Sequence, residues 1–126
     1  MPIYAVLFLI AMLSSVGLPG LNGFVGEFLT VQGAFRANPV WGAFAAVGLI
    51  LGAVYLFTMF QRVFFGPITD THNEHLEPLN LREILVAAPL LILMFVLGFF
   101  PNLVLGPLQT TVAQVLQMVG TAVALR

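Results

Sequence analysis

From Pro39 to Phe65 the chain carries one charge, Arg62, and from Ile84 to Phe100 it carries none. A helix needs roughly 20 apolar residues, at about 1.5 Å each, to cross the ~30 Å hydrocarbon core of a bilayer. Two such runs dictate membrane crossings unless a large soluble body encloses them, and composition leaves no material for one. Of 126 residues 60% are hydrophobic and only 7% charged, against about 25% charged in a soluble domain. Four basic and five acidic side chains cannot cover a water-facing surface. Lipid must be much of the solvent.

The first apolar stretch, Ile3 to Phe35, is too long for one straight span and is broken inside. Gly17-Leu18-Pro19-Gly20, followed by Asn22-Gly23, is a cluster of helix breakers. Pro19 lacks a backbone donor and disfavours helix at Leu18. The pattern predicts one crossing made of two half-helices, Pro2–Gly17 and Leu21–Phe35, joined by a short extended link. Unwound backbone at membrane depth survives only where protein buries it or it lines a wet cavity, so the break at Gly17, Pro19 and Gly20 is itself a functional hint. The plain alternative is a proline kink used for packing.

Three further elements follow. Asn38 can cap a helix and Pro39 suits its first position, while Gly66-Pro67 ends it; the second span is 39–65. Within it Gly48 and Gly52, with Ala45 on roughly the same face, form a small-residue surface of the kind that admits a neighbouring helix. Residues Pro67 to Arg82 make the one polar loop. His72 and His75 there invite a metal reading, but no rigid frame holds them, and a solvated loop is the expectation. Asn80 and Glu83 form a capping-box pattern that starts a third span, about 83–100, with Pro89 inside it as a source of a kink. The tail, about 103–125, carries Leu105, Leu108, Val112, Val115, Leu116, Val119 and Val123 at helical spacing. Such a stripe suits an amphipathic helix lying on a membrane or a partner. The fold class expected is therefore all-α: a polytopic transmembrane bundle of three spans, the first broken, plus a C-terminal amphipathic helix.

Several functions are excluded. The chain has no cysteine and a net charge of −1, so thiolate metal sites and disulfides are out, and nucleic acid is not an expected partner. No cofactor-binding or metal-ligating set is present in the pattern. The first residues, Met1-Pro2-Ile3-Tyr4, lack the basic region of a signal peptide. Counting arginines returns a tie: Arg62 and Arg82 flank the polar loop, with Arg36 and Arg126 on the other side if the tail does not cross.

Glu27 is the one ionisable residue well inside an apolar span. A charge at the bilayer centre costs at least ~2.5–3.5 kcal/mol, so such a residue normally faces the bundle interior or a water path. At helical spacing it shares a face with Gly23 and Thr30, beside Gly26, while Phe24, Phe28, Val31 and Phe35 form a separate apolar face. Low dielectric disfavours a charged carboxyl and a nearby cation favours it, and a group balanced between the two can load and release protons. Glu27 is the candidate relay; a neutral hydrogen-bond donor is the structural alternative. Tyr55, Thr58 and Arg62, at i, i+3 and i+7, are candidates for a hydrated path toward the loop, or else an ordinary interfacial belt.

The run Ala11-Met12-Leu13-Ser14-Ser15-Val16-Gly17-Leu18-Pro19-Gly20-Leu21-Asn22-Gly23-Phe24-Val25-Gly26-Glu27-Phe28 resembles the late broken helix of the antiporter-like subunits of respiratory complex I. The M-type subunit, counterpart of mitochondrial chain 4, is the best match. Phe60-Gln61-Arg62-Val63-Phe64-Phe65-Gly66 resembles the helix that follows; Leu81-Arg82-Glu83 and Gly98-Phe99-Phe100-Pro101 resemble the last helix and its exit. Paralogous subunits usually carry lysine where Glu27 stands, which makes Gly-Phe-Val-Gly-Glu-Phe fairly specific.

The resemblance implies the C-terminal quarter of a longer proton-translocating subunit, with the polar loop cytoplasmic and the chain multi-pass in the cell (inner) membrane. It implies Glu27 as the proton site of the break. Its partners would be other membrane-arm subunits and the N-terminal part of its own subunit. NADH, flavin, iron–sulfur clusters and quinone would be used elsewhere in the complex. The family's earlier broken helix, its Glu–Lys pair and its central lysine have no counterpart here, so pumping by this chain alone is not expected. Competing readings are a subunit of a multi-subunit cation/proton antiporter, a small multidrug/proton exporter, and a non-catalytic membrane scaffold. The exporter's essential acid lies in an unbroken helix, which the Gly-Leu-Pro-Gly break speaks against.

Overall fold

The computed structural model describes residues 2–67 and 77–124, with side chains to residue 119. Five helices make up the described chain: α1 (Pro2–Ser15), α2 (Asn22–Ala37), α3 (Pro39–Phe65), α4 (Leu81–Phe99) and α5 (Asn102–Ala124). No strand occurs among the described residues. The polar-loop residues from 68 to 76, including His72 and His75, lie outside them.

Local chemistry sets most boundaries. The Asn38 side chain accepts from Val40 N at 2.9 Å, and Pro39 begins α3. At α4 the capping box is complete: Asn80 Oδ1 accepts from Glu83 N at 3.1 Å, and Glu83 Oε2 accepts from Asn80 N at 3.0 Å. Helix α4 continues through Pro89, and α5 through Pro107.

Helices α1 and α2, of 14 and 16 residues, are each only about 21–24 Å long at 1.5 Å per residue, short of a bilayer core. In series they suffice, and α3 shows that they are in series. Tyr4 and Phe8 of α1 meet Phe64 near the C-terminal end of α3, with ring centroids 5.9 and 5.3 Å apart, and Phe8 stacks on Phe60 at 6.2 Å. At the opposite end of α3, Gly42 is packed so closely on the Phe35 ring of α2 that a Cβ would overlap it. The broken pair thus runs antiparallel to α3 along its length. Helix α4 packs on α1 and α2, so the broken pair lies between α3 and α4.

At Gly48 and Gly52 the small-residue surface of α3 meets no described part of this chain. A Cβ at Gly48 or Gly52 would meet nothing within 4 Å. Within the described chain the close approach on α3 is at Gly42, because the α2–α3 junction at Asn38 folds Phe35 back over it.

Helix α5 touches α4 alone among the described elements, and its described side chains are exposed except Leu105, which is half-buried. Large apolar side chains are exposed throughout α3 and α4, with Trp41 at 67%, Phe44 at 67% and Leu85 at 63%. A water-soluble monomer does not present such continuous apolar surface. These are membrane helices whose outer faces meet lipid or other protein.

Candidate functional site

Most of the buried residues of the described chain cluster at the break, with Gly42 and Phe60 of α3 buried apart from it. Met12, Ser14 and Leu21 are buried to 3%, 5% and 3% exposure, all within a few residues of it. The path of the break is a correction, since the link is capped and turned rather than extended. Leu18 N donates to Leu13 O (3.0 Å) and Gly17 N to Ser14 O (3.2 Å), with Gly17 at φ +77°. That pair of bonds around a left-handed glycine is a Schellman cap, which satisfies carbonyls a helix end leaves open. Leu21 N then donates to Leu18 O at 3.1 Å across Pro19 and Gly20, the latter at φ +96°. Proline followed by a positive-φ glycine is the type II turn pattern. Leu21, at φ −113° and ψ 155°, is extended. A bare extended link would leave buried N–H and C=O groups unpaired, which the cap and turn avoid.

Two glycines let backbones meet at this point. A Cβ on Gly23 would overlap the Ser14 carbonyl oxygen, and one on Gly98 would overlap the carbonyl oxygen of Gly20. A glycine Cα–H therefore points at each oxygen, a contact worth about 0.5–1 kcal/mol. The Ser14 hydroxyl donates to Asn22 Oδ1 at 2.6 Å, tying α1 to α2.

Glu27 stands on α2 one turn beyond Gly23, half-buried, with its carboxyl against the Cα of Gly17. Side chains on a helix lean toward its N-terminus, which brings this carboxyl back over the break. It lines an open cavity of about 510 Å³ with Ser14, Ser15, Asn22, Gly26 and Thr30, closed on the apolar side by Val31, Ala45, Leu49 and Met94. A cavity of that size with several hydroxyls and an amide can hold water. Thr30 Oγ1 donates to Gly26 O at 2.8 Å and Ser15 Oγ to Ala11 O at 3.1 Å, so both keep lone pairs free to accept.

Gly23, Gly26 and Thr30 share the surroundings of Glu27 as their spacing predicts. Val31 differs: it lines the same cavity instead of the aromatic face, because it stands at i+4 from Glu27 and so on the same side. Phe24 and Phe28 stack away from it, centroids 5.4 Å apart.

Tyr55, Thr58 and Arg62 are brought together with one another but not with Glu27. They line a separate surface groove with Val54, Met59 and Val63, and Thr58 Oγ1 donates to Val54 O at 2.7 Å. At 100° per residue they point roughly 180–240° from Leu49, the α3 residue at the Glu27 cavity. Sequence reasoning missed Ser14, Asn22 and Gly98. Ser14 and Asn22 carried a readable signal, two small polar residues flanking a break in an apolar span; Gly98 carried none.

Comparison with known proteins shows what the chain is similar to. Residues 1–52 match the family described as NADH:quinone oxidoreductase/Mrp antiporter, TM. NADH-quinone oxidoreductase subunit M of Rickettsia prowazekii (strain Madrid E) is 44% identical over 92% of this chain and 24% of its own length. The chain is similar to a stretch of proteins named NADH-quinone oxidoreductase subunit M. Subunit M of Rhodobacter capsulatus is 38% identical over 93% of the chain and 23% of its own length. NADH-ubiquinone oxidoreductase chain 4 of Marchantia polymorpha is 36% identical over 93% and 24%. The chain spans about a quarter of the length of these curated M-type relatives.

Proposed function

We propose that this chain supplies a proton-relay module to the membrane arm of an NADH:quinone oxidoreductase, with Glu27 as the carboxyl that takes up and hands on protons. The observation that carries this is the position of Glu27: a lone acid in an apolar helix, set on the glycine cap of a helix break, in a cavity lined by hydroxyls and an amide. An acid there has a route to water that an acid facing lipid lacks. The names of the relatives support the assembly.

In this reading the chain sits multi-pass in an energy-conserving inner or cell membrane, beside the rest of its own subunit and other membrane-arm subunits. Electron transfer from NADH through flavin and iron–sulfur clusters to quinone belongs to other subunits. This chain contributes to the enzyme without a redox centre of its own. Tyr55, Thr58 and Arg62, turned away from Glu27, belong to a proton path only if neighbouring helices of the assembly complete it.

A second reading, a subunit of a multi-subunit cation/proton antiporter, is favoured by one observation: the matched family description names both assemblies. Copurification from native membranes separates the two, since redox subunits accompany the chain in one case and antiporter subunits in the other. Reconstitution of the chain alone in liposomes under a pH or drug gradient tests the module reading directly. No sustained coupled transport is expected; sustained transport would favour a small exporter instead.

A further inference from the structure

We propose that Ser14 and Asn22 are positioning residues for Glu27, a neutral clamp that sets how α2 sits on α1 and thereby where the Glu27 carboxyl lies. The proposal rests on the relay reading of Glu27 given above.

Ser14 makes three connections at the break. Its hydroxyl donates to Asn22 Oδ1 at 2.6 Å; its carbonyl accepts from Gly17 N at 3.2 Å; and the same carbonyl is met by the Cα of Gly23. It is buried to 5% exposure, so a hydroxyl there without a partner would be costly. Gly17 and Gly23, its two backbone neighbours, are also the two residues that define the Glu27 position. Gly23 lies one turn before Glu27 on α2, and Gly17 presents the Cα on which the carboxyl rests. A slip of α2 against α1 therefore moves the carboxyl off Gly17. The cap residue of α2, Leu21, offers no side-chain hydrogen bond, so the Ser14–Asn22 contact is the side-chain hydrogen bond that ties the start of α2 to α1. A buried serine could serve stability alone, and a thermal measurement would not separate the two roles. The pH dependence of pumping does, because neither an alcohol nor an amide titrates in the working range. Any displacement of that profile must come through a titrating group, and Glu27 is the acid sharing their cavity.

The test uses the full-length subunit in its assembled complex, measuring proton translocation per NADH oxidised against pH. Ser14→Ala and Asn22→Ala should each lower pumping several-fold and displace its pH profile, because each frees α2 to shift the Glu27 carboxyl. Ser14→Thr, which keeps the hydroxyl, should restore the profile. The double alanine variant should be no worse than the more severe single variant, as partners in one contact require. Where Ser14→Ala fails to assemble, Ser14→Cys keeps the volume with a weaker donor and takes its place. Unmoved profiles in the position-14 and position-22 variants, or additive effects in the double variant, overturn the clamp. Glu27→Gln measured alongside keeps the two claims apart. If it pumps normally the relay reading fails; if it does not, and the clamp variants do, the clamp alone is wrong.

Discussion

The carboxyl of Glu27 rests on the Cα of Gly17, in the space where any other residue at position 17 would place its Cβ. Gly17 is thus required twice, once by its φ of +77° in the cap of α1 and once by the side chain lying on it. These two requirements come from opposite sides of the break, and together they place a titratable acid against unwound backbone inside a membrane bundle.

Gly17→Ala should accordingly do more than strain the backbone. The left-handed conformation costs a non-glycine residue roughly 1 kcal/mol, and the new methyl displaces the Glu27 carboxyl. The expected outcome is a several-fold loss of proton translocation per NADH oxidised in the assembled complex. Gly42→Ala is the control. Its methyl would overlap the Phe35 ring at the far end of α2, so it should lower thermal stability while pumping by the remaining assembled complex stays near normal. Equal losses of pumping in both variants would show that only stability is being read.

The break should be necessary as a break. Replacing Pro19 and Gly20 together with alanine removes both central residues of the Leu18–Leu21 turn and favours a continuous helix. Coupled pumping should fall while electron transfer to artificial acceptors persists. Unchanged pumping in this double variant would reduce the turn to a packing kink.

Asn80→Ala should separate a structural device from the site. The capping box at the start of α4 is exposed, and its loss should cost about 1 kcal/mol. Thermal stability of the assembled subunit should drop by a few degrees with protons moved per electron unchanged.

Sequence-local features were legible because their causes are local. Asn38 with Pro39 and Asn80 with Glu83 specify helix starts from a few neighbouring atoms, and α3 begins and ends where those signals and Gly66-Pro67 place it. The break was legible as a break, but its path was not. Glycine allows both signs of φ, and only the need to pair buried backbone groups selects the cap-and-turn route through Gly17 and Gly20. Pattern also failed to orient α3. A helix that is apolar nearly all round has no polar face to mark its interior, so the spacing of Gly48 and Gly52 stood out while Gly42, which meets Phe35, did not. The same ambiguity left Tyr55, Thr58 and Arg62 open between a hydrated path and an interfacial belt. Val31 was misassigned although helical spacing could have placed it beside Glu27. The contacts of Gly23 with Ser14 and of Gly98 with Gly20 arise from tertiary packing and have no local signature.

The relay role of Glu27 is tested most directly by measuring proton translocation against pH in the assembled complex for the wild type, Glu27→Gln and Glu27→Lys. Glutamine keeps the size and hydrogen-bonding capacity of the acid but cannot exchange a proton in this range. Lysine can bind and release one, but its charged form has the opposite sign and repels a cation that a carboxylate would attract. The account predicts normal assembly in all three, a several-fold loss of pumping in Glu27→Gln, and partial activity in Glu27→Lys with a displaced pH profile. A wild-type profile from Glu27→Gln would contradict it, and would leave the acid as a neutral structural donor at the break.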